Sequence, residues 1–115
     1  MKNDKIYLDH ILEAITKVKS HVKNIQNEDG FLSNILVQDA VVRNIEVIGE
    51  AASNLSLEFR KQYSEINWRR IIDTRNLLIH GYFGVSYAAV WGIVVKHLPE
   101  FENQIKEIIK TIKID

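Results

Sequence analysis

The stretch RNLLIHGY, residues 75–82, brings one guanidinium, one imidazole and one phenol together inside an apolar, helix-patterned region. Arginine is permanently charged and offers a planar set of donors that suits phosphate oxygens. Histidine exchanges a proton near neutral pH. The segments on either side are predicted to be helices that hold this octapeptide in place. The chemistry of the chain is therefore expected to centre on Arg75, His80 and Tyr82.

The spacing of these side chains limits how they can cooperate. Arg75 and His80 are five residues apart, so on a straight α-helix they point roughly 140° away from each other. Asn76 and His80 are four residues apart and share a helix face. Either the helix unwinds at Gly81 and re-aims His80, or a second protomer supplies the missing side chain. We favour a dimer in which the two octapeptides face each other.

Length and composition indicate one domain covering residues 1–115, with 46% hydrophobic and 26% charged residues. The 15 basic and 15 acidic residues cancel, so any anion site has to be local, and no DNA partner is expected. The absence of cysteine excludes disulfides and thiolate metal sites and fits a cytoplasmic protein. No signal peptide or membrane-spanning run is visible, so no membrane partner is expected.

Hydrophobic periodicity predicts an all-α bundle of about five main helices. The predicted helices run from about Asp4 to Asn27, from Ser33 or Asn34 to Asn54, from Trp68 to near Gly81, from Ser86 to Lys96, and from Pro99 onwards. A short helix is predicted at 57–63, with Ser56 as its cap, and Asn67 is predicted to cap the helix that follows. Residues 27–30 are predicted to form a turn. The apolar side chains predicted to face the core from the octapeptide helix are Ile71, Ile72, Leu78 and Ile79.

The second main helix carries carboxylates among small and apolar residues. Glu46 and Glu50 are four residues apart and share one face. Gly49 and Ala51 allow another helix to approach closely. Either these carboxylates lie on the solvated surface of the bundle, or their strip faces the octapeptide or a dimer partner.

The octapeptide resembles the R-x4-H-x-Y motif of HepT-type proteins in the HEPN superfamily. The flanking WRRII at 68–72 and FGV at 83–85 resemble that family's context for the motif. RNIEVIGEAA at 43–52 resembles the family's second helix, and Trp91 with HLP at 97–99 resembles its last two helices. Asp73-Thr74 departs from a Gly-Met-like pair expected before the motif. The resemblance covers nearly the whole chain.

The resemblance implies an all-α, HEPN-like homodimer that cleaves RNA at a cleft between protomers, without a metal or other cofactor. It implies that Arg75 and His80 are catalytic. Asn76 is a candidate to support His80, with which it shares a face, and Glu46 and Glu50 are candidates to orient these groups.

The resemblance also implies a toxin within a toxin–antitoxin pair. Its partner would be an MNT-type nucleotidyltransferase antitoxin that transfers AMP from ATP to Tyr82. Phosphates added beside Arg75 and His80 would occupy the guanidinium and block an RNA phosphate electrostatically and sterically.

Two other interpretations stay open. The chain could be a nucleotide-binding or scaffolding subunit of a nucleotidyltransferase complex that does not cleave RNA. The zero net charge favours this interpretation, although a local basic run comprises Arg60, Lys61, Arg69, Arg70 and Arg75. Alternatively, the octapeptide only packs within a helical dimer. Loss of RNA cleavage on substitution of Arg75 or His80 would separate the ribonuclease interpretation from both.

Overall fold

The computed structural model describes residues 4–80 and 86–114, with side chains up to residue 112, and every regular element in these residues is helical. The helices are α1 (Asp4–Val22), α2 (Glu28–Leu32), α3 (Ile35–Asn54), α4 (Leu57–Gln62), α5 (Trp68–His80), α6 (Tyr87–Gly92) and α7 (Leu98–Ile114). A π-helical turn at Ile93–His97 joins α6 to α7. The all-α prediction is confirmed. Within the described ranges, no helix has the length and apolar character that crossing a membrane requires.

The core forms where α3 packs against both α1 and α5, with α7 closing it against α1. Leu8, Ile11 and Ile15 of α1 are at most 1% exposed, because their spacing of three or four residues places them on one helix face. Ile45 and Ile48 of α3 meet them from the other side and are at most 5% exposed. The helical periodicity predicted this interface.

Asp4 ties the beginning of α1 to the beginning of α4. Its carboxylate accepts hydrogen bonds from the Ser56 backbone N–H at 2.8 Å and from the Ser56 hydroxyl at 2.9 Å. Ser56 Oγ in turn accepts from the backbone N–H of Phe59 at 3.1 Å, as the N-cap of α4. Because Ser56 follows the end of α3, this contact makes α1 antiparallel to α3 and fixes the first turn of α1.

Aromatic rings hold the beginning of α5. The ring of Trp68 lies 6.0 Å from that of Phe59 and 6.0 Å from that of Phe101. Its indole N–H donates to the carbonyl oxygen of Tyr63 at 3.1 Å. Trp68 is the buried residue of α5, at 5% exposure. The rest of this helix, which includes residues 75–80 of the octapeptide, is half-buried or exposed in the described chain.

The predicted end of the first helix was wrong. α1 ends at Val22 instead of near Asn27, and residues 27–30 begin α2 instead of forming a turn. Asn27 is the N-cap of α2, with its side-chain oxygen accepting from the Gly30 N–H at 2.9 Å. The reason is that the same short polar and acidic residues favour both turns and helix N-termini.

Ile79 was also predicted wrongly. It is 47% exposed instead of facing the core. Ile79 lies four residues after Arg75 and therefore shares its helix face, which borders an open cleft. Ile71, Ile72 and Leu78 are half-buried against the core, as predicted.

The last two predicted helices form one continuous helical path. Across the π-helical turn the hydrogen bond lengthens by one residue, so that the Leu98 N–H donates to the Ile93 carbonyl. Pro99 has no N–H, and its ring clashes with the carbonyl four residues earlier in a regular helix. The wider turn accommodates this proline in the first turn of α7, where it was predicted.

Candidate active site

α3 and α5 approach each other closely at Gly49, beside Arg75 of the octapeptide. A Cβ on Gly49 would lie 2.1 Å from the Cβ of Arg75 and 3.2 Å from the carbonyl oxygen of Ile71. Only the hydrogen of glycine fits between these atoms. The close approach predicted at Gly49 is confirmed, and it brings the carboxylate strip of α3 next to Arg75.

Two oxygen acceptors hold the guanidinium of Arg75. Nη2 donates to Glu50 Oε1 at 2.6 Å, and Nη1 donates to the amide oxygen of Asn76 at 2.9 Å. Nε is buried and has no hydrogen-bond partner among the described residues. The side chain is 27% exposed. Arg75 is therefore fixed in one orientation and remains accessible from solvent.

A cleft of about 260 Å³ opens at Arg75, between α1, α3 and α5. Its polar and aromatic lining among the described residues consists of Tyr7, His10, Arg43, Glu46, Glu50, Asn54 and Arg75. Arg43 Nη1 lies 3.7 Å from Glu46 Oε1, and the Glu46 side chain is only 18% exposed. Of the two interpretations of the carboxylate strip, the structure thus favours the one in which it faces the octapeptide.

His80 lies away from this cleft. It is the last residue of α5 and is exposed. Because α5 stays α-helical through His80, the five-residue spacing keeps its side chain roughly 140° from that of Arg75. His80 is not among the residues that line the cleft. Gly81 and Tyr82 lie outside the described residues, so the break at Gly81 and the modification of Tyr82 stay predictions.

Tyr7 and His10 are cleft residues that the sequence did not predict, whereas Arg43 belongs to the polar strip of α3 with Glu46 and Glu50. The rings of Tyr7 and His10 meet edge to face, with centroids 6.0 Å apart and planes at 88°. These two residues flank the buried stripe of α1 and are three apart, which places them on one border of the face that packs on α3. The sequence signal that could have identified Tyr7 and His10 is their position as polar aromatic residues at the border of a buried helix stripe.

A second, larger groove of about 550 Å³ lies between α5 and the junction of α6 with α7. Its lining includes the basic residues Arg70, Lys96 and His97 and the acidic residues Glu65 and Glu100. It shares no lining residue with the Arg75 cleft. Among the described residues, this groove and the Arg75 cleft are therefore separate concave surfaces.

Residues 11–108 match the sequence model of the family described as "Ribonuclease HepT-like". The chain belongs to the HepT-like ribonuclease family. The match extends from α1 to α7 and includes the octapeptide, the carboxylate strip and the π-helical turn. It confirms the resemblance to HepT-type proteins and the ribonuclease class that the motif predicted.

Two similar proteins match this chain over nearly their whole length. A Caldanaerobacter subterraneus subsp. tengcongensis protein named as a putative RNase is 42% identical over 113 residues, which is 98% of this chain and 100% of that protein. A Thermococcus cleftensis protein named as a probable ribonuclease HepT is 36% identical over 109 residues, 95% of this chain and 98% of that protein.

One similar protein is longer than this chain, and its name gives two activities. The Methanocaldococcus jannaschii protein named as a gamma-glutamylcyclotransferase and putative RNase is 41% identical over 111 residues, which is 96% of this chain. The chain spans about half of that relative, 50% of its length. No solved structure matches the chain.

Proposed function

We propose that the chain is a metal-independent endoribonuclease that acts in the cytoplasm as the toxin of a toxin–antitoxin pair. The observation that carries this proposal is the fixed guanidinium of Arg75, held by Glu50 and Asn76 at an accessible cleft. A preoriented arginine suits a phosphodiester because its donors match the phosphate oxygens. Membership of the HepT-like ribonuclease family supports RNA as the substrate.

In the proposed reaction, the ribose 2′-oxygen attacks the adjacent phosphorus, and the bond between phosphorus and the 5′-oxygen breaks. His80 takes the proton of the 2′-hydroxyl as general base. Arg75 offsets the charge that develops on the non-bridging phosphate oxygens. The products are a 2′,3′-cyclic phosphate and a 5′-hydroxyl.

A homodimer is part of this proposal, because one straight helix does not aim Arg75 and His80 at the same phosphate. Leu77 is 55% exposed and lies three residues before His80, so it presents an apolar side chain on the same face. We infer that this face of α5 packs against a second copy. The contact would bring His80 of the partner subunit to the Arg75 cleft.

Cleavage of a single-stranded RNA oligonucleotide in the presence of a metal chelator tests the activity. Arg75→Ala and His80→Ala are each expected to lower kcat/KM by at least about 100-fold. Arg69→Ala is the matched control for Arg75, since Arg69 is on the same helix with a side chain 92% exposed. His21→Ala, at an exposed position of α1, is the control for His80. Equal cleavage by the wild type and these four variants would refute the ribonuclease proposal.

Neutralisation is proposed to occur by AMPylation of Tyr82 by an MNT-type nucleotidyltransferase. The phenolic oxygen of Tyr82 would attack the α-phosphorus of ATP and expel pyrophosphate, and the phenolic proton would pass to a base on the antitoxin. Tyr82 follows His80 by two residues in the sequence, so the added phosphate would lie near the proposed catalytic groups.

Co-expression with the nucleotidyltransferase and intact-mass measurement tests this modification. The wild type is expected to gain one or more AMP units and to lose RNA cleavage. Tyr82→Phe is expected to gain none and to stay active. Tyr87→Phe is the control, because Tyr87 is nearby in sequence and 39% exposed. AMP units that persist in Tyr82→Phe would assign the modification to another residue.

The second groove favours a different candidate function, a nucleotide-binding or scaffolding subunit of a nucleotidyltransferase complex. Its volume of about 550 Å³ is in the range of small-molecule sites, and Arg70 and Lys96 line it. ATP binding that Arg70→Ala weakens, in a protein that leaves RNA intact, would support this candidate over the ribonuclease.

A further inference from the structure

Cleavage through the 2′-oxygen needs two proton transfers. The 2′-hydroxyl loses a proton, for which His80 is proposed, and the departing 5′-oxygen gains one. Arg75 does not supply the second proton, since a guanidinium stays protonated in proteins. A second titratable group near the phosphate that Arg75 binds would complete the reaction.

Within one protomer, His10 is the histidine placed to donate this second proton, because it lines the same cleft as Arg75. The structure describes all four histidines of the chain, and of these only His10 lines the Arg75 cleft. It reaches the cleft from α1, whereas Arg75 reaches it from α5. The cleft between these helices is about 260 Å³, so a phosphodiester bound by Arg75 would lie close to the His10 ring.

α1 holds His10 in a fixed position. Leu8 and Ile11, on either side of it in the helix, are both 0% exposed. The carboxylate of Asp4 anchors the first turn through Ser56 at 2.8 Å. His10 itself is exposed, with the ring of Tyr7 against its edge. A group that must transfer a proton benefits from such a rigid support and an accessible ring.

The charges around His10 are arranged in pairs. The ionisable groups that share the cleft with it are Tyr7 of α1, Arg43, Glu46 and Glu50 of α3, and Arg75 of α5. Arg43 lies against Glu46 at 3.7 Å, and Arg75 lies against Glu50 at 2.6 Å. A protonated imidazole therefore shares the cleft with arginines that are each paired with a carboxylate.

We propose that His10 is a catalytic residue that acts as the general acid for the leaving 5′-oxygen. As the bond between phosphorus and the 5′-oxygen breaks, the imidazolium proton of His10 passes to that oxygen. His10 ends neutral and His80 ends protonated, and exchange with water restores both. This assignment rests on the proposed ribonuclease function.

The test uses RNA whose leaving 5′-oxygen is replaced by sulfur, because a thiolate departs without being protonated. On ordinary RNA, His10→Gln and His10→Ala are expected to lower kcat by about 100-fold or more. On the sulfur-bridged substrate, both variants are expected to approach the wild-type rate, whereas His80→Ala stays impaired. His21→Ala, on the same helix and outside the cleft, is expected to match the wild type on both substrates.

The outcomes separate this proposal from the one on which it rests. If Arg75→Ala loses activity but His10→Gln cleaves ordinary RNA as fast as His21→Ala, only the role of His10 is refuted. The acid role is also refuted if His10→Gln has a lowered kcat on ordinary RNA and an equally lowered kcat on the sulfur-bridged substrate. This holds whether or not the thermal stability of the variant has changed. If the wild type leaves RNA intact, or Arg75→Ala cleaves it normally, both proposals fail.

Discussion

Glu50 occupies a bonding position on Arg75 that an RNA phosphate would also use. Its Oε1 lies 2.6 Å from Nη2, and its side chain is 53% exposed. An ion pair this exposed contributes only about 0–1 kcal/mol to stability, so its importance for folding is small. Its effect on the site is twofold, since the carboxylate both orients the guanidinium and competes with an incoming anion.

The two effects of Glu50 are separable by substitution. Glu50→Gln keeps an acceptor for Arg75 and removes the charge, so it is expected to lower the KM for RNA by roughly two- to fivefold with little change in kcat. Glu50→Ala removes the acceptor as well and is expected to lower kcat. Steady-state kinetics on one RNA substrate measures both quantities. Wild-type kinetics in both variants would mean that Glu50 neither orients Arg75 nor competes with RNA.

The carboxylate of Asp4, unlike that of Glu50, is expected to contribute to stability, because it accepts two hydrogen bonds from Ser56. Asp4→Asn keeps one acceptor oxygen and loses the second, so we expect the free energy of unfolding to fall by about 1–2 kcal/mol. Urea denaturation measures this change. Asp9→Asn is the control, because Asp9 forms an exposed pair with Lys5 at 3.0 Å and should change stability by less than about 0.5 kcal/mol. Equal stability of the two variants would contradict a structural role for Asp4.

The sequence identified some of these residue contacts and missed others. Arg75 was predicted as a phosphate-binding group from its chemistry, and Glu50 was one of two open possibilities. Asn76 was assigned to His80 by helix spacing, but its amide also accepts from Arg75, which is its direct neighbour. His10 was missed because its position at the border of the buried stripe of α1 does not by itself reveal that α1 and α5 flank α3 and share a cleft with Arg75.

At the scale of the helices, Gly49 controls how closely α3 and α5 pack. Gly49→Ala would place a methyl group 2.1 Å from the Cβ of Arg75, so the helices must separate. We expect a loss of about 1–3 kcal/mol in the free energy of unfolding, together with weaker RNA cleavage. Urea denaturation and the cleavage assay measure the two effects.

Gly92 provides the matched control for Gly49. A Cβ on Gly92 meets no atom within 4 Å, so Gly92→Ala should leave stability unchanged or raise it by up to about 1 kcal/mol. If both substitutions stabilised the protein, the contact between Gly49 and Arg75 would not limit the packing of α3 against α5.

Helix beginnings were more predictable than helix ends. Asn34, Ser56 and Asn67 were each predicted as caps, and each accepts a hydrogen bond from the backbone N–H three residues later. These bonds are local, so residue identity is enough to predict them. The end of α1 and the junction before α7 depend on packing and on a wider helical turn, which the sequence pattern does not reveal.

At the scale of the molecule, the proposed site is shared between two copies of the chain. Mixing Arg75→Ala with His80→Ala tests this directly, since in a mixed dimer one of the two sites would contain both intact residues. After exchange of subunits, a symmetric dimer predicts recovery of about one quarter of the wild-type activity. Light scattering measures the dimer, and the cleavage assay measures the recovery.

A protomer that contains a complete site predicts a different result. In that case the mixture would stay as inactive as each variant alone. Arg75→Ala mixed with Arg75→Ala/His80→Ala is the control, because no combination of its subunits restores both residues in one site. Recovery in this control would point to contaminating nuclease.

The all-α class and the family were within reach of the sequence because periodicity and the octapeptide are local patterns. The homodimer was also predicted from the sequence, and it stays a prediction, because only a second chain can show what the exposed face with Leu77 and His80 packs against. His80 is not among the residues that line the Arg75 cleft, as its five-residue spacing from Arg75 on a straight helix predicts, and the mixing experiment tests whether the site is shared.

The π-helical turn before Pro99 has a consequence for how the length of this chain can vary. It accommodates one residue more than a regular α-helix over the same rise, so it is a single-residue insertion kept inside a helix. Deleting one residue from 93–97 would return this turn to regular α-helical geometry and leave α7 in its present orientation, but the Pro99 ring would then clash with the carbonyl four residues earlier. Natural variants that are one residue shorter here should therefore also lack the proline.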